Sequence, residues 1–162
     1  MLSGETTTGK YPQKCIEVFH RIAERIEKSG GANFFSSAEL SSPRQKLVKS
    51  AVVMANEMRA AGLLVFTLHG TMARNASWMR PHYTPIFAVC PSDEVAAQLA
   101  LYWGVHPVVL PFVQRDSEPL IVETLKRLVG DKKLKKGDHV VILSSVSAGE
   151  LHVDAIQTRE VI

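Results

Sequence analysis

The 162-residue chain has little cysteine: Cys15 and Cys90 stand 75 positions apart. That count and spacing exclude a disulfide framework and a Cys-x-x-Cys metal site, so a reduced, cytoplasmic setting is expected. No window approaches the roughly 18 apolar residues of a membrane span, and Met1-Leu2-Ser3-Gly4-Glu5-Thr6 lacks the basic and apolar regions of a secretory signal. Neither a membrane partner nor export is expected. Charge of one sign is also scarce. Nineteen Lys and Arg face sixteen Asp and Glu, a formal +3, far from the surplus of a nucleic-acid binder. A charged partner, if there is one, is expected to be small. The six histidines, His20, His69, His82, His106, His139 and His152, show no metal-ligand spacing, and no His-Cys or His-Ser catalytic arrangement can be specified.

What the chain does have is a globular composition, 46% hydrophobic and 22% charged, at a length that buries roughly two thirds of the unfolded surface. Residues 1 to 10 are polar, carry no period and read as loop. From Pro12, the residues Cys15, Phe19, Ile22, Ala23 and Ile26 recur at three- and four-residue steps until Ser29-Gly30-Gly31, which predicts an amphipathic helix. Residues 30 to 42 read as a loop around Phe34-Phe35. Ser42-Pro43 opens a second helix with Leu47, Val48, Ala51, Met54, Ala55 and Met58 on its apolar stripe, ending before Gly62.

Beyond it, strands and helices alternate. Leu63 to Thr67, Pro85 to Cys90, Val108 to Leu110 and Val140 to Leu143 are continuous apolar runs of strand length, the mark of strands covered on both faces. Helices are predicted over about Thr71 to Trp78, from Ser92 or Asp93 to Trp103, and over about Ser117 to Val129. Residues 144 to 150 read as a short connection, and Ala155 to Ile162 as a terminal strand pairing antiparallel with the one before it. The expected fold is a three-layer α/β/α domain with a mixed, mostly parallel five-stranded sheet whose last strand is antiparallel.

One segment stands out chemically. Thr67-Leu68-His69-Gly70-Thr71-Met72-Ala73 lies between a buried strand and a helix start, where open parallel sheets bind ligands and where helix N-H groups favour anions. Thr67 and Thr71 bring hydroxyls, Gly70 permits close backbone approach, and protonated His69 adds a cation. The same residues also read as plain turn chemistry, with Thr71 as a helix cap. Trp78 and Met79 read as core, with Arg80 a candidate neighbour of the loop. The six Lys and Arg between Lys126 and His139 read as a solvated helix end.

Four groups of residues follow one another along the chain: Met1-Leu2-Ser3-Gly4-Glu5-Thr6 with Gly9 and Tyr11-Pro12; Val65-Phe66-Thr67 with Gly70 and Ala73, then Arg80-Pro81 and Pro85-Ile86-Phe87-Ala88-Val89; Leu101-Tyr102-Trp103-Gly104-Val105-His106-Pro107; and Lys135-Lys136-Gly137-Asp138. In this order they resemble pyruvate kinase, the first group being similar to the segment that closes that enzyme's catalytic barrel, and the resemblance spans essentially the whole chain. It implies that residues 1–12 are the barrel's end and linker, and residues 13–162 the C-terminal regulatory and tetramer-forming domain. The parent reaction is phosphoryl transfer from phosphoenolpyruvate to ADP in glycolysis, with magnesium and potassium held in the barrel, so this segment carries no catalytic residue and no cofactor of its own.

By the same resemblance, the loop holding Thr67, His69, Gly70, Thr71, Met72 and Ala73 is the effector-phosphate site. The family usually has serine at His69 and serine or threonine at Met72. Members activated by fructose 1,6-bisphosphate have tryptophan and arginine where Val113 and Leu120 stand, and Glu150 would repel a second phosphate. A sugar or nucleotide monophosphate is therefore the expected effector, the barrel and sister subunits of a homotetramer the expected partners. Two other readings compete: a free-standing phosphometabolite-binding module, and a purely structural subunit-contact domain.

Overall fold

The computed structural model describes residues 1–28, 38–112, 118–148 and 151–162. The chain divides into two compact units, Met1–Ser37 and Ala38–Ile162.

In the first unit, the segment expected as loop contains a helical turn, α1 (Gly4–Thr7), before α2 (Pro12–Lys28). The turn is made by the polar side chains that suggested a loop. The Ser3 carbonyl accepts the hydroxyls of Thr6 and Thr7 at 2.9 and 3.0 Å, and the Glu5 carboxylate reaches back to the Ser3 N-H at 3.1 Å. Backbone hydrogen bonds at Glu5 and Ser3 hold the Glu5 carboxyl below its ordinary range. Along α2 the predicted stripe is in place, yet Phe19, Ile22 and Ile26 are about half exposed.

In the second unit, α3 (Pro43–Met58) opens with a full capping box: the Ser42 hydroxyl accepts the Gln45 N-H at 3.2 Å and the Gln45 side chain accepts the Ser42 N-H at 3.2 Å. Its end is Arg59 in the left-handed region, φ 48, not Gly62. Gly62 instead begins β1 (Gly62–Phe66), where an added Cβ would lie 2.7 Å from the Phe87 ring, so close strand packing is what demands glycine there.

The remaining elements are α4 (Thr71–Trp78), β2 (Ile86–Cys90), α5 (Asp93–Leu99), β3 (Val105–Val109), α6 (Glu118–Gly130), β4 (His139–Ala148) and β5 (Leu151–Glu160). They form one sheet of order β3-β2-β1-β4-β5. All pairings are parallel except β4 with β5, which runs from His139↔Glu160 to Ala148↔Leu151. The predicted architecture is therefore present, with shifted boundaries. β3 starts earlier than expected, α5 ends earlier, and the two last strands are longer, so the expected connection 144–150 is largely ladder.

Strand alternation divides the core into two layers. Leu64, Phe66, Phe87, Val89, Val140 and Ile142 cluster with Leu120, Ile121 and Leu128 of α6. The alternate residues Leu63, Val65, Ile86, Ala88, Val141 and Leu143, all essentially inaccessible, face the side packed by α3, α4 and α5. Thr84, buried in the lead to β2, donates its hydroxyl to the carbonyls of Ala55 and Ala60 at 3.2 and 3.0 Å, tying the end of α3 to the sheet.

Candidate functional site

From β1 the chain moves to β2 and β3 on one side and returns to β4 on the other. The order thus reverses at β1, and in open α/β sheets the ligand crevice lies beyond the carboxyl ends of strands at such a point. The loop leaving β1 is the segment Thr67–Ala73.

Local structure there follows from Gly70. It is the N-cap of α4 with φ 81, has no side-chain cap, and its carbonyl accepts the Arg74 N-H at 2.9 Å. Thr71 is the first helical residue and not the cap. First-turn N-H groups of a helix have no carbonyl behind them, so Gly70, Thr71, Met72 and Ala73 offer backbone donors at the positive end of the α4 dipole. An added Cβ on Gly70 would lie 3.2 Å from Leu99 Cδ2, which fixes how tightly the loop passes over α5.

The expected site residues separate into three groups. His69 and Thr71 are exposed, and with Gly70 they line a cavity of about 90 Å³ closed by Arg74, Gln98, Leu99 and Tyr102. Thr67 is buried at the end of β1, its N-H donating to the Val89 carbonyl at 2.9 Å, and lies outside that lining. The Met72 and Ala73 side chains are buried in the core, so only their backbone belongs to the loop. Val113, Glu150 and the Phe34-Phe35 loop fall outside the described residues.

Arg74 was not legible as a site residue. It follows the loop at i+3 from Thr71 on the surface of α4, and its guanidinium carbon lies 5.2 Å from the centroid of the Trp78 ring. Its Nε is buried without a hydrogen-bond partner. Thr71 and Arg74 also line a second, open cavity of about 650 Å³ with Asn75, Trp78 and the α3 start at Ser42–Gln45, bounded by Asp154. Trp78, expected in the core, is 55% exposed, whereas Met79 is buried as expected. Arg80 does not reach the loop: its guanidinium carbon sits 5.0 Å from the Trp103 ring centroid, and neither cavity includes it.

Elsewhere, an apolar groove of about 450 Å³ lies between α6 and the end of β5, lined in part by Val122, Leu125, Val129, Val161 and Ile162. The Arg159–Glu118 ion pair stands at its rim and carries no convergent set of donors. Cys90 is buried at the end of β2, with Sγ 3.7 and 3.8 Å from the carbonyls of Ser92 and Val108. Burial pushes its thiol above the ordinary range, which keeps it protonated and unreactive at neutral pH. Among the described residues, no group of three or more His, Cys, Asp or Glu side chains is placed to hold a metal ion. No described helix is long and apolar enough to cross a membrane.

Comparisons with known proteins agree with one another. The family profile "Pyruvate kinase, alpha/beta domain" matches residues 45–157. Plastidial pyruvate kinase 3, chloroplastic, of Arabidopsis thaliana is 38% identical over 150 residues, covering 91% of this chain and 26% of the plant protein. Pyruvate kinase of Staphylococcus epidermidis is 32% identical over 159 residues, covering 93% of this chain and 26% of the bacterial protein. The chain thus spans about a quarter of the length of these relatives. Among solved structures, Cryptosporidium parvum pyruvate kinase in complex with ADP superposes with a TM-score of 0.77 over the whole chain and 33% of that protein, at 23% identity.

Proposed function

The chain belongs to the pyruvate kinase family, carrying its α/β domain, and from that premise we propose that it is a regulatory, subunit-contacting domain whose Thr67–Ala73 loop binds the phosphate of a small monophosphate effector. The observation that carries this reading is the geometry at Gly70: a left-handed N-cap with no side chain across it, at the point where strand order reverses. His69, Gly70, Thr71 and Arg74 line the cavity beside it, and between them they bring first-turn N-H groups, a hydroxyl, an imidazole and a guanidinium. This is the donor set a phosphate requires.

In this reading residues 1–12 close a catalytic barrel and the effector signal passes between that barrel and residues 13–162. The parent enzyme transfers the phosphoryl group of phosphoenolpyruvate to ADP, works as a homotetramer and resides in the cytoplasm, a compartment that suits the free thiols Cys15 and Cys90. Magnesium and potassium belong to the barrel chemistry, and no step here runs through them. The chain's own contribution is to bind and orient an anion.

Calorimetry tests the reading. A sugar monophosphate is expected to bind weakly, at least as tightly as fructose 1,6-bisphosphate, and Thr71→Ala is expected to lower that affinity about tenfold, the worth of one charge-assisted hydrogen bond. Tighter bisphosphate binding, or indifference to Thr71→Ala, contradicts it.

A further inference from the structure

The basic stretch Lys132-Lys133-Leu134-Lys135-Lys136 lies at the amino end of the parallel strands, the opposite end of the sheet from the Thr67–Ala73 loop. It closes α6 with a complete Schellman motif: the Lys132 N-H donates to the Val129 carbonyl at 3.0 Å and the Lys133 N-H to the Leu128 carbonyl at 2.9 Å. Lys132 takes the left-handed position of that motif, φ 56, where glycine is the usual residue and a side chain is strained. Leu134, 2% exposed, pins the middle of the stretch in the core. The Asp138 carboxylate accepts the Lys135 N-H at 2.7 Å. The Gly137 N-H donates to the Val161 carbonyl and the Val161 N-H to the Asp138 carbonyl, each at 2.8 Å. The backbone of the turn is thus held from both sides.

Its four ammonium groups are not. Lys132, Lys133, Lys135 and Lys136 are exposed, and none of them is in an ion pair among the described residues. The acids next to them in sequence are engaged: Asp131 pairs with Arg127 at 3.2 Å, and Asp138 caps the turn. Lysines at a helix C-terminus complement its dipole, but that effect falls off within a turn, so it serves Lys132 and Lys133 and not Lys135 and Lys136. A left-handed lysine where glycine would be relaxed, in a row of like charges without a counter-ion, is a placement that local stability does not explain.

The apolar groove between α6 and β5 runs into this turn. Val129 and Val161 line it, and their carbonyls are the ones that hold Lys132 and Gly137. Val122, 39% exposed, and the partly buried Leu125 continue it along α6. Of its carboxylates, Glu118 is paired with Arg159, and Glu160 stands in register opposite His139. A groove of about 450 Å³ that is apolar along its length and basic at one end complements a segment with an apolar face and acidic side chains beside it.

We propose that the groove and the lysine turn together form a docking site for an acidic amphipathic segment of a partner protein, its apolar side chains between α6 and β5 and its carboxylates on Lys132, Lys133, Lys135 and Lys136. The turn presents its charges on a backbone that binding does not have to order, which favours association. The site shares no residue with the Thr67–Ala73 loop and does not depend on what that loop binds.

The test is fluorescence anisotropy of labelled synthetic helical peptides, leucine along one face and either glutamate or glutamine along the other, titrated with the 162-residue chain. The glutamate peptide is expected to bind saturably and about tenfold more tightly than the glutamine peptide, the scale of four exposed ion pairs, and high salt should remove most of that preference. Lys132→Gln, Lys133→Gln, Lys135→Gln and Lys136→Gln together should abolish it. Val122→Ser, at an exposed position, should weaken both peptides about threefold. Lys132→Gly separates a docking role from a structural one: it should raise the urea midpoint, because the left-handed strain is relieved, while weakening the glutamate peptide about twofold. Equal binding of the two peptides, or a four-lysine variant that keeps the preference, overturns the proposal. So does binding of phosphatidylserine vesicles or RNA with none of the glutamate peptide, and so does a dimer of the chain that Val122→Ser dissociates, which would give the groove to a second copy.

Discussion

At the scale of single residues, Gly70 has two reasons to be glycine. Its φ of 81 lies where side chains are strained, and its missing Cβ spares a 3.2 Å contact with Leu99. Gly70→Ala should therefore lower stability by about 1 to 2 kcal/mol in urea unfolding and weaken phosphate binding as the first-turn N-H groups shift. A variant as stable as the natural chain would show that the loop relaxes freely. The Arg159 and Glu118 pair gives a pH-dependent prediction. Hydrogen bonds from Arg159 hold the Glu118 carboxyl below its ordinary range. A depressed carboxyl stabilises the fold above its unfolded value of about 4.3 and loses that contribution as pH falls through the folded value. Arg159→Met should then move the acid-unfolding midpoint to higher pH, with natural and variant chains converging at the acid extreme. A midpoint that stays in place contradicts the pairing. The loop's Gly70 and Thr71 were legible as residues because turn and hydroxyl chemistry are local. Arg74 was not, since an arginine on a helix becomes informative only when packing leaves its Nε buried without a partner.

At the scale of elements, the capping box at Ser42 and Gln45 sets the start of α3 and with it one wall of the open cavity. Ser42→Ala should cost about 1 kcal/mol, read as a lower denaturation midpoint with an unchanged denaturant slope; no loss would mean that the Pro43 start alone suffices. The strands β1, β2 and β4 could be read from the chain because strands covered on both faces are continuous apolar runs. The ends of β4 and β5 could not: Ser144 and Ser145 carry the ladder onward, and small polar residues in a two-stranded extension look like turn. The α1 turn escaped for a related reason. Its threonines and Glu5 satisfy the backbone through side chains, and such local bonding leaves no hydrophobic period. The end of α3 at Arg59 was hidden because a left-handed arginine carries no sequence signal that a nearby glycine does not outweigh.

At the scale of the whole molecule, the sheet order and the family match place this chain as an α/β domain covering about a quarter of its relatives. The proposal assigns catalysis to the barrel, so the purified 162-residue chain should form no pyruvate from phosphoenolpyruvate and ADP in a coupled assay. Turnover above background would move catalytic groups into this domain. The central claim is that the β1–α4 loop is an anion site. It is tested most directly by following the backbone amide resonances of the ¹⁵N-labelled chain during titration with ribose 5-phosphate. The account predicts saturable shifts concentrated at Gly70, Thr71, Met72, Ala73 and Arg74. Shifts confined to the basic stretch Lys132–Lys136, or no saturable shift in the loop, would contradict it.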